Sequence, residues 1–546
     1  MNKKVLAAAF ALVASLVLPA ASLAQSKTSG RSIAKVDTPV CYGCHAPIKE
    51  FHAGSKHKDV SCASCHDGVD KHLADSKQRP VTRTDPATCG GCHKLQYESF
   101  ATMNWSRPAR SEKSQLTGAS PNPAWDKLMM PHGFTREHNL PRSHTFALLD
   151  QLLIDRAFGG RFSPKNGWQY LTLSGGIKVW DVLEDKYPGE DHKPFKPGTA
   201  AAANPVCLSC KTQDHILDWA YMGDPVPAAK WSRTSKVNEM AKDVNHALNC
   251  FFCHDPHSAG PRVVRDGLIQ ALTRPEQDTL WHKDARATKI DVKEMGLRGF
   301  TRKIALLEKY DTKLQCAQCH VEYNCNPGVD PTTGKPIGMA DARTNHFPLK
   351  DVWGIAQHYT DLKFRDFRHA ITGALLWKSQ HPDVETFWNS KHDKAGVQCQ
   401  NCHMPKLTDA KTGKKYTSHW QTNPRNYIKE TCLTCHSGWN ETKARYVLDS
   451  LQGHIQGKTR KAEFWLTRLV DKFDEANAAG LDEAPLKAAR DKHYEAHAHW
   501  EWWTSTNGGT FHNPDQAKES LNRSITLSQE GIKVLEDAMK ARRVGK

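Results

Sequence analysis

Spare cysteine is what this chain lacks most. It has 17 cysteines in 546 residues, but 16 of them fall into eight C-x-x-C pairs and only Cys325 is left over. A disulfide framework, a common use of cysteine in exported chains, is thereby excluded as the organising principle. Long apolar runs are scarce as well. The one candidate, residues 5–18, follows Asn2-Lys3-Lys4 and precedes the small residues Ser22-Leu23-Ala24. That order is a secretion signal cleaved near Ala24, and the run is short for a membrane span. No other stretch could cross a bilayer, so the expected product is a soluble protein of the periplasm with no membrane span. A repeat of solenoid period is missing too, because the cysteine pairs are irregularly spaced.

Seven of the eight pairs run on into histidine: Cys41/Cys44/His45, Cys62/Cys65/His66, Cys89/Cys92/His93, Cys250/Cys253/His254, Cys316/Cys319/His320, Cys399/Cys402/His403 and Cys432/Cys435/His436. C-x-x-C-H is the attachment signature of c-type haem. The two thiols bond to the haem vinyl groups and the adjacent imidazole is forced under the iron. The eighth pair, Cys207-Leu208-Ser209-Cys210-Lys211, has a lysine in the ligand position. Lysine can coordinate through its neutral amine when burial or nearby cations lower its pKa. A chain that keeps one ligand seven times and changes it once marks that haem for different work. Seven electron-transfer haems and one catalytic haem, eight covalently bound haem c in all, are expected.

Acidic residues are outnumbered, with 59 Asp and Glu against 75 Lys and Arg, for a formal charge of +16. Losing Lys3 and Lys4 with the signal leaves +14. Such an excess invites a nucleic-acid partner, but export and haem content argue against one. Haem propionates would neutralise much of the excess, and any remainder near the catalytic haem favours an anionic substrate.

Three motifs crowd between Cys41 and His93, which predicts a three-haem domain over residues 25–130 after the signal at 1–24. A motif-free stretch with Pro-rich turns follows, and Phe146, Leu149, Leu153 and Phe158 predict a helix over 143–158. Five motifs then spread to His436, within a catalytic domain over 131–450. Beyond them the chain turns helical over 451–546. Residues 455–477 form an amphipathic stretch, with Phe464, Leu466, Leu469 and Phe473 among charged residues. Gly480 interrupts it, 486–503 resumes, and Asn513-Pro514 starts a last helix as N-cap and first position. The fold class expected is mainly α, a multihaem cytochrome c with a haem-packed core, long C-terminal helices and little sheet. Those helices suggest an oligomer interface or a brace for the haem core.

Of the 29 histidines, seven lie in the motifs and 22 remain for the far sides of the irons. Counting alone does not choose among them. His57, just before Cys62, and His72, shortly after His66, lie within reach of neighbouring haems.

Particular segments resemble the multihaem cytochrome c nitrite reductases. They are Pro141-Arg142-Ser143-His144, Cys207 with Lys211, Cys316-Ala317-Gln318-Cys319-His320-Val321-Glu322-Tyr323, Lys378-Ser379-Gln380-His381-Pro382, Cys402-His403-Met404-Pro405-Lys406 and Phe511-His512-Asn513-Pro514. With three extra N-terminal motifs and a cysteine two residues after the tyrosine, the chain is similar to the octahaem members. The resemblance implies that Lys211 is the proximal ligand of the active haem, with Arg142, Tyr323 and His381 around bound nitrite. Arg142 is a permanent cation suited to an oxyanion, His381 can relay protons, and Tyr323 can donate a proton or relay an electron. It implies calcium held by Glu322, Gln380 and the carbonyls of Tyr323 and Lys378, all oxygen donors as a hard cation prefers. It also implies a thioether between Tyr323 and Cys325, and distal ligation by His144, His392, His419 and His512. For the three N-terminal haems His57, His72 and His132 are named, with His52, His138, His246 and His257 as rivals.

The implied activity is six-electron reduction of nitrite to ammonium, with hydroxylamine and sulfite as side substrates and an unidentified electron donor. A homo-oligomer is implied, in octahaem members a hexamer built as a trimer of dimers. Two rivals stand beside it. One is another octahaem oxidoreductase, acting on tetrathionate or hydroxylamine, against which the Val321-Glu322-Tyr323 and Gln380-His381-Pro382 segments weigh. The other is a plain multihaem electron carrier, in which Lys211 merely tunes a potential and all irons are low-spin.

Overall fold

The computed structural model describes residues 38–102, 123–132, 144, 147–148, 162–164, 181, 183–185, 204–244, 247–296 and 298–544. The secretion signal, Arg142, His138, His246 and most of the helix expected over 143–158 lie outside the described residues. Two compact units are present. One comprises the chain up to Ala46 with Val60–Thr82, the other Pro47–Asp59 with Arg83–Lys546. The smaller unit holds the first two motifs on short helical turns and a two-stranded hairpin pairing His66 with Thr82 and Asp67 with Val81.

In the larger unit the motif cysteines sit on single helical turns, each started by a polar residue just ahead. Asn204 caps α1 (Pro205–Leu208), its side chain accepting from the Val206 and Cys207 N–H groups. Asn249 does the same for α2 (Cys250–Cys253) through Phe251 N–H. These caps satisfy donors that a one-turn helix cannot satisfy itself, so a covalent attachment turn can exist without a long helix behind it. A three-stranded antiparallel sheet follows, made of β1 (Arg262–Val263), β2 (Ile290–Met295) and β3 (Arg302–Leu307), with β3 central. Helix α3 (Asp266–Thr273) packs Leu268, Ile269 and Leu272 with Val206, Leu208, Leu314, Val321 and Tyr323 into one apolar cluster. Asp311 caps α4 (Thr312–Cys316), which carries the start of the fifth histidine motif.

Beyond the last motif stand three long helices, α5 (Glu441–Ala478), α6 (Glu483–Thr504) and α7 (Pro514–Val544). The protein is mainly α, and its sheets are short. Helix α5 begins well before the expected residue 455, because Asn440 caps it by accepting from Lys443 N–H. Its buried stripe runs through Ala462, Leu466, Leu469, Val470 and Phe473. Phe464 is not on it and is 56% exposed. Two residues from Leu466 is more than half a turn away, which carries Phe464 to the outer face. Gly480 takes φ +65° just after α5, and Asn513 caps α7 through Gln516 N–H. Helices α5 and α6 bury Leu466, Val470, Ala496 and Trp500 against Leu521 and Ile525 of α7. Burying each such apolar side chain contributes about 1.5–3 kcal/mol.

Candidate functional site

The turn that carries Lys211 is the most enclosed of the cysteine motifs. Cys207 and Cys210 are buried, as is Cys325, while the other cysteines are half-buried or exposed. Asn204, the cap of that turn, donates to Asn326 Oδ1 at 3.3 Å, which ties it to the Tyr323–Asn326 segment. The Cys207 and Cys325 sulfurs lie 3.4 Å apart. From the other side Arg265, fully buried, donates from Nε to Cys210 Sγ at 3.2 Å. Its guanidinium stands 5.1 Å over the Phe347 ring, and Phe347 stacks on Tyr323 with centroids 5.3 Å apart and planes at 20°. Gln318 ties the Cys316 motif to this turn: its carbonyl faces Cys210 Sγ at 3.6 Å, and its Oε1 accepts from Val264 N–H at 2.7 Å. Burial pushes the Tyr323 phenol well above its ordinary value, so it stays protonated and can act as a donor.

Cys44, Cys92 and Cys435 are exposed, and Cys65 is only half-buried. Each is the second cysteine of its pair and closes its turn. The Cys44 N–H donates to the Cys41 carbonyl at 3.3 Å, Cys65 to Cys62 at 3.1 Å, Cys92 to Cys89 at 3.2 Å and Cys435 to Cys432 at 3.3 Å. Such a bond fixes the backbone of the turn but brings no apolar element over the trailing side chain. Thioether formation depends on covalent reach to a vinyl group, which burial does not decide.

His381 lies buried in the segment that follows Lys378, and its N–H faces the Val321 carbonyl at 3.4 Å. Asp383, two residues on, accepts from His320 Nδ1 at 3.4 Å and from the backbone N–H groups of Asn507 and Gly508. Burial works to raise the Asp383 carboxyl, but the His320 hydrogen bond and charge hold it below the ordinary value. A carboxylate behind a proximal imidazole fixes the ring and makes its other nitrogen more basic toward a metal.

Glu322, buried like Tyr323, accepts from Tyr359 Oη at 2.7 Å, Ser379 Oγ at 3.0 Å and Gln380 N–H at 2.6 Å. Burial nevertheless pushes its carboxyl up to about 8. Gln380 Oε1 accepts from Lys378 Nζ at 3.2 Å. A buried carboxylate and an amide oxygen on two adjoining segments are hard donors that fit a calcium ion, and that buried charge gains from a nearby cation. Among the described residues no group of three or more His, Cys, Asp or Glu side chains is gathered for a metal. An ion here would therefore lean on amide and carbonyl oxygens.

Six of the seven motif histidines meet second imidazoles. His45 faces His72 with ring centroids 6.0 Å apart, His93 faces His57 at 6.1 Å, and His254 faces His419 at 6.3 Å. His320 faces His144 at 5.9 Å, His403 faces His512 at 6.3 Å, and His436 faces His392 at 6.3 Å. Two imidazoles bound to one metal from opposite sides, each nitrogen about 2 Å away, need a centroid spacing of about 6 Å. His57, His72, His403 and His419 point Nδ1 at the carbonyls of Pro256, Gln78, Thr422 and Thr417, at 2.8 to 3.0 Å. Nδ1 must then carry the proton, which leaves the Nε2 lone pair for a metal. Burial pushes His144 down to about 3, helped by the charges of His320 and Lys211, so it too is neutral. These residues fit c-type haem. His132 has a different environment, edge-on to Phe367 at 5.1 Å, and His66 Nδ1 meets Thr82 Oγ1 at 3.3 Å.

Arg265, Phe347, Tyr359 and Asp383 were not picked out from the sequence. No local pattern marks them, and only Asp383, directly after Gln380-His381-Pro382, had a flanking motif to draw attention to it.

Residues 180–545 match the cytochrome c552 family. The chain is 26% identical over 438 residues to the cytochrome c nitrite reductase subunit NrfA of Nitratidesulfovibrio vulgaris, covering 76% of this chain and 69% of that protein. It is 25% identical over 429 residues to cytochrome c-552 of Haemophilus influenzae, covering 76% and 67%. A solved structure of cytochrome c nitrite reductase from Desulfovibrio desulfuricans, described for its two calcium sites, shares the fold with a TM-score of 0.57 at 22% identity. It covers 84% of this chain and 87% of that one. With capped thiol turns, opposed imidazoles and a family match over two thirds of its length, the chain belongs to the cytochrome c552 family.

Proposed function

We infer that this protein reduces nitrite to ammonium at the Lys211 centre, in the periplasm, with the seven histidine motifs serving electron transfer. The observation that carries the reading is the contrast in surroundings. Six motif histidines stand opposite second imidazoles, while the Lys211 turn is enclosed by Tyr323, Phe347 and Arg265. Relatives named as nitrite reductases support the substrate. Haem, held at this turn by Cys207, Cys210 and Lys211, supplies an iron for nitrite and a route for electrons.

Conversion of nitrite to ammonium and two waters takes six electrons and eight protons, and the side chains have to manage the protons. Arg142 binds the anion through its permanent charge and several donors. Tyr323, kept protonated by burial, donates a hydrogen bond to a substrate oxygen, and the Phe347 ring holds its plane. His381 relays protons as the N–O bonds break. Burial of this turn strengthens each of these interactions, since little water screens them.

Eight haem c groups are proposed, with the six imidazole pairs as the axial ligands of six of them. Cys44, Cys65, Cys92 and Cys435 would each attach a haem together with the first cysteine of their pair. A calcium ion at Glu322, Gln380 and the Tyr323 and Lys378 carbonyls would hold the two catalytic segments together. The Tyr323–Cys325 thioether is proposed as well, with the Cys207 sulfur committed to haem. Intact mass of the peptide spanning Tyr323 and Cys325 tests the link, which requires the loss of two hydrogens. The functional test is turnover of isotope-labelled nitrite with reduced viologen, on wild type and Lys211→His. Labelled ammonium from wild type and altered turnover in the variant are expected. No ammonium from protein carrying its full haem complement would overturn the reading, and tetrathionate would be tried next.

A further inference from the structure

Helix α6 carries His493, His497 and Glu501 four residues apart, so the three lie along one stripe. Each is 1% exposed or less. The stripe spans eight residues, about 12 Å of helix. Neither the haem sites nor the calcium site uses it.

Buried ionisable groups are costly unless hydrogen-bonded, and this row is half satisfied. His493 Nδ1 meets Thr372 Oγ1 at 3.1 Å, whereas its Nε2 has no partner. His497 Nε2 meets Glu501 Oε2 at 2.9 Å, whereas its Nδ1 has none. Glu501 Oε1 is unpartnered too. One orphan atom on each of three consecutive turns is the pattern of a row bridged by ordered water.

Both ends of the row lead somewhere. At the outer end Arg490, whose side chain is 24% exposed, donates to the Thr372 carbonyl at 2.8 Å, one turn before His493. At the inner end Ser505, one turn after Glu501, donates to the Glu501 carbonyl at 2.9 Å and lies 2.9 Å from Ser379 Oγ. Ser379 sits two residues before His381. Among the described residues, the titratable groups that act on the row are His369, whose ring lies 5.4 Å from that of His493, and Asp366. His369 is no carrier, because its Nδ1 accepts from the Ile371 and Thr372 N–H groups and its Nε2 donates to the Lys127 carbonyl. Asp366 feels the Glu501 charge, although burial is the larger cause of its rise to about 7.

We propose that His493, His497 and Glu501, with bridging water, form a proton-entry path from the Thr372–Arg490 surface to the Ser379–His381 segment of the catalytic site. Each transfer moves one proton inward and the next from outside restores it, so the row ends every cycle unchanged while solvent supplies the protons consumed. The path rests on the nitrite reading, since that reaction is what draws protons.

The test is Glu501→Gln, which keeps the shape but cannot pass a proton. In haem-loaded enzyme kcat should fall at least about tenfold with KM unchanged. The solvent deuterium isotope effect on kcat should rise, and Glu501→Asp should recover part of the rate. A second readout needs no nitrite: the infrared difference spectrum between oxidised and reduced protein should contain a carboxyl band that Glu501→Gln removes. Wild type inactive on nitrite but showing that band would overturn the nitrite reading alone. Wild-type kcat and isotope effect in Glu501→Gln, or no Glu501-dependent band, would overturn the path. His497→Gln, which can still hydrogen-bond Glu501, is the second variant if the first does not fold, and the same kinetic losses are expected of it.

Discussion

The Lys211 turn and the histidine turns start from one local plan, a short capped helical turn presenting two thiols, and end in opposite surroundings. Around Lys211 the thiols are buried and the neighbours are an arginine, two stacked aromatic rings and a leftover cysteine. Around His45, His93, His254, His320, His403 and His436 the thiols are partly open and a second imidazole stands about 6 Å away. Imidazoles on both faces of a haem iron leave no position for a substrate and suit electron transfer. A dry turn lined by donors suits chemistry, because electrostatic interactions there are weakly screened.

The sharpest way to break this comparison is Lys211→Ala. Ammonium formation should fall about 10²-fold or more, while the low-spin spectrum of the paired-imidazole haems persists. A loss of only a few-fold would mean that the lysine turn is not the special one. Next comes Gly267→Ala. An added Cβ would stand 2.3 Å from Phe347 Cδ2, and Phe347 is fully buried against Tyr323. Overpacking of this kind costs about 1–3 kcal/mol, and turnover should drop about tenfold as Tyr323 shifts. The substitution should leave the His392–His436 pair untouched, which the low-spin absorbance would report.

His392→Ala probes the other side. It removes the imidazole facing His436, so one haem should become ligand-accessible and high-spin by electron paramagnetic resonance. Its effect on turnover should be smaller than that of Lys211→Ala, since the electron route rather than the chemistry is altered.

The smallest effect on activity is expected at Asp284, outside both regions. It accepts from Trp388 Nε1 at 3.0 Å and from Lys313 Nζ at 3.2 Å, and pairs with Arg286 at 3.1 Å. Burial raises its carboxyl, but the Arg286 and Lys313 hydrogen bonds outweigh that and hold it at about 2. A carboxyl depressed on folding binds fewer protons in the folded state, so its stabilisation is present above about pH 4 and lost as pH falls through 2. Its size is about 2 kcal/mol. The melting-temperature gap between wild type and Asp284→Asn should therefore be full at pH 5 and close toward pH 2, with turnover at neutral pH unchanged.

Much of the fold could be read in the sequence, because its signals are short-ranged. Asn204, Asn249 and Asp311 sit just ahead of their turns and cap them. The breaks at Gly480 and Asn513-Pro514 fell where turn chemistry placed them. Helix α5 starts earlier than expected: Ala444, Val447, Leu448 and Leu451 already continue the helical apolar spacing, and the Asn440 cap sets the boundary. Phe464, as apolar as Leu466 and Leu469, is turned outward by helical phase.

The candidate site was legible in its motif residues and illegible in its pairings. His57 lies next to Cys62 in the chain but opposite His93 in space, and His72 follows His66 but opposes His45. His419 reaches His254 from the other end of the catalytic region. Burial was illegible too. The pair Cys432/Cys435 reads like Cys207/Cys210, yet Cys435 is exposed and Cys210 is buried, because only the latter has Arg265 and Gln318 packed around it. Arg265 and Phe347 carry no local signature at all, and their roles come from packing on Cys210 and Tyr323.

By itself the sequence determined which residues can attach haem, that one motif ends in lysine where the others end in histidine, and where the helices are capped. Those are properties of neighbours a few residues apart, set by covalent reach and by hydrogen bonds within a single turn. Only the tertiary structure decided which imidazole opposes which, that the lysine turn is the buried one, and that His493, His497 and Glu501 line up with the segment holding His381. Such relations join residues tens to hundreds of positions apart, and only the packing of the whole chain brings them together.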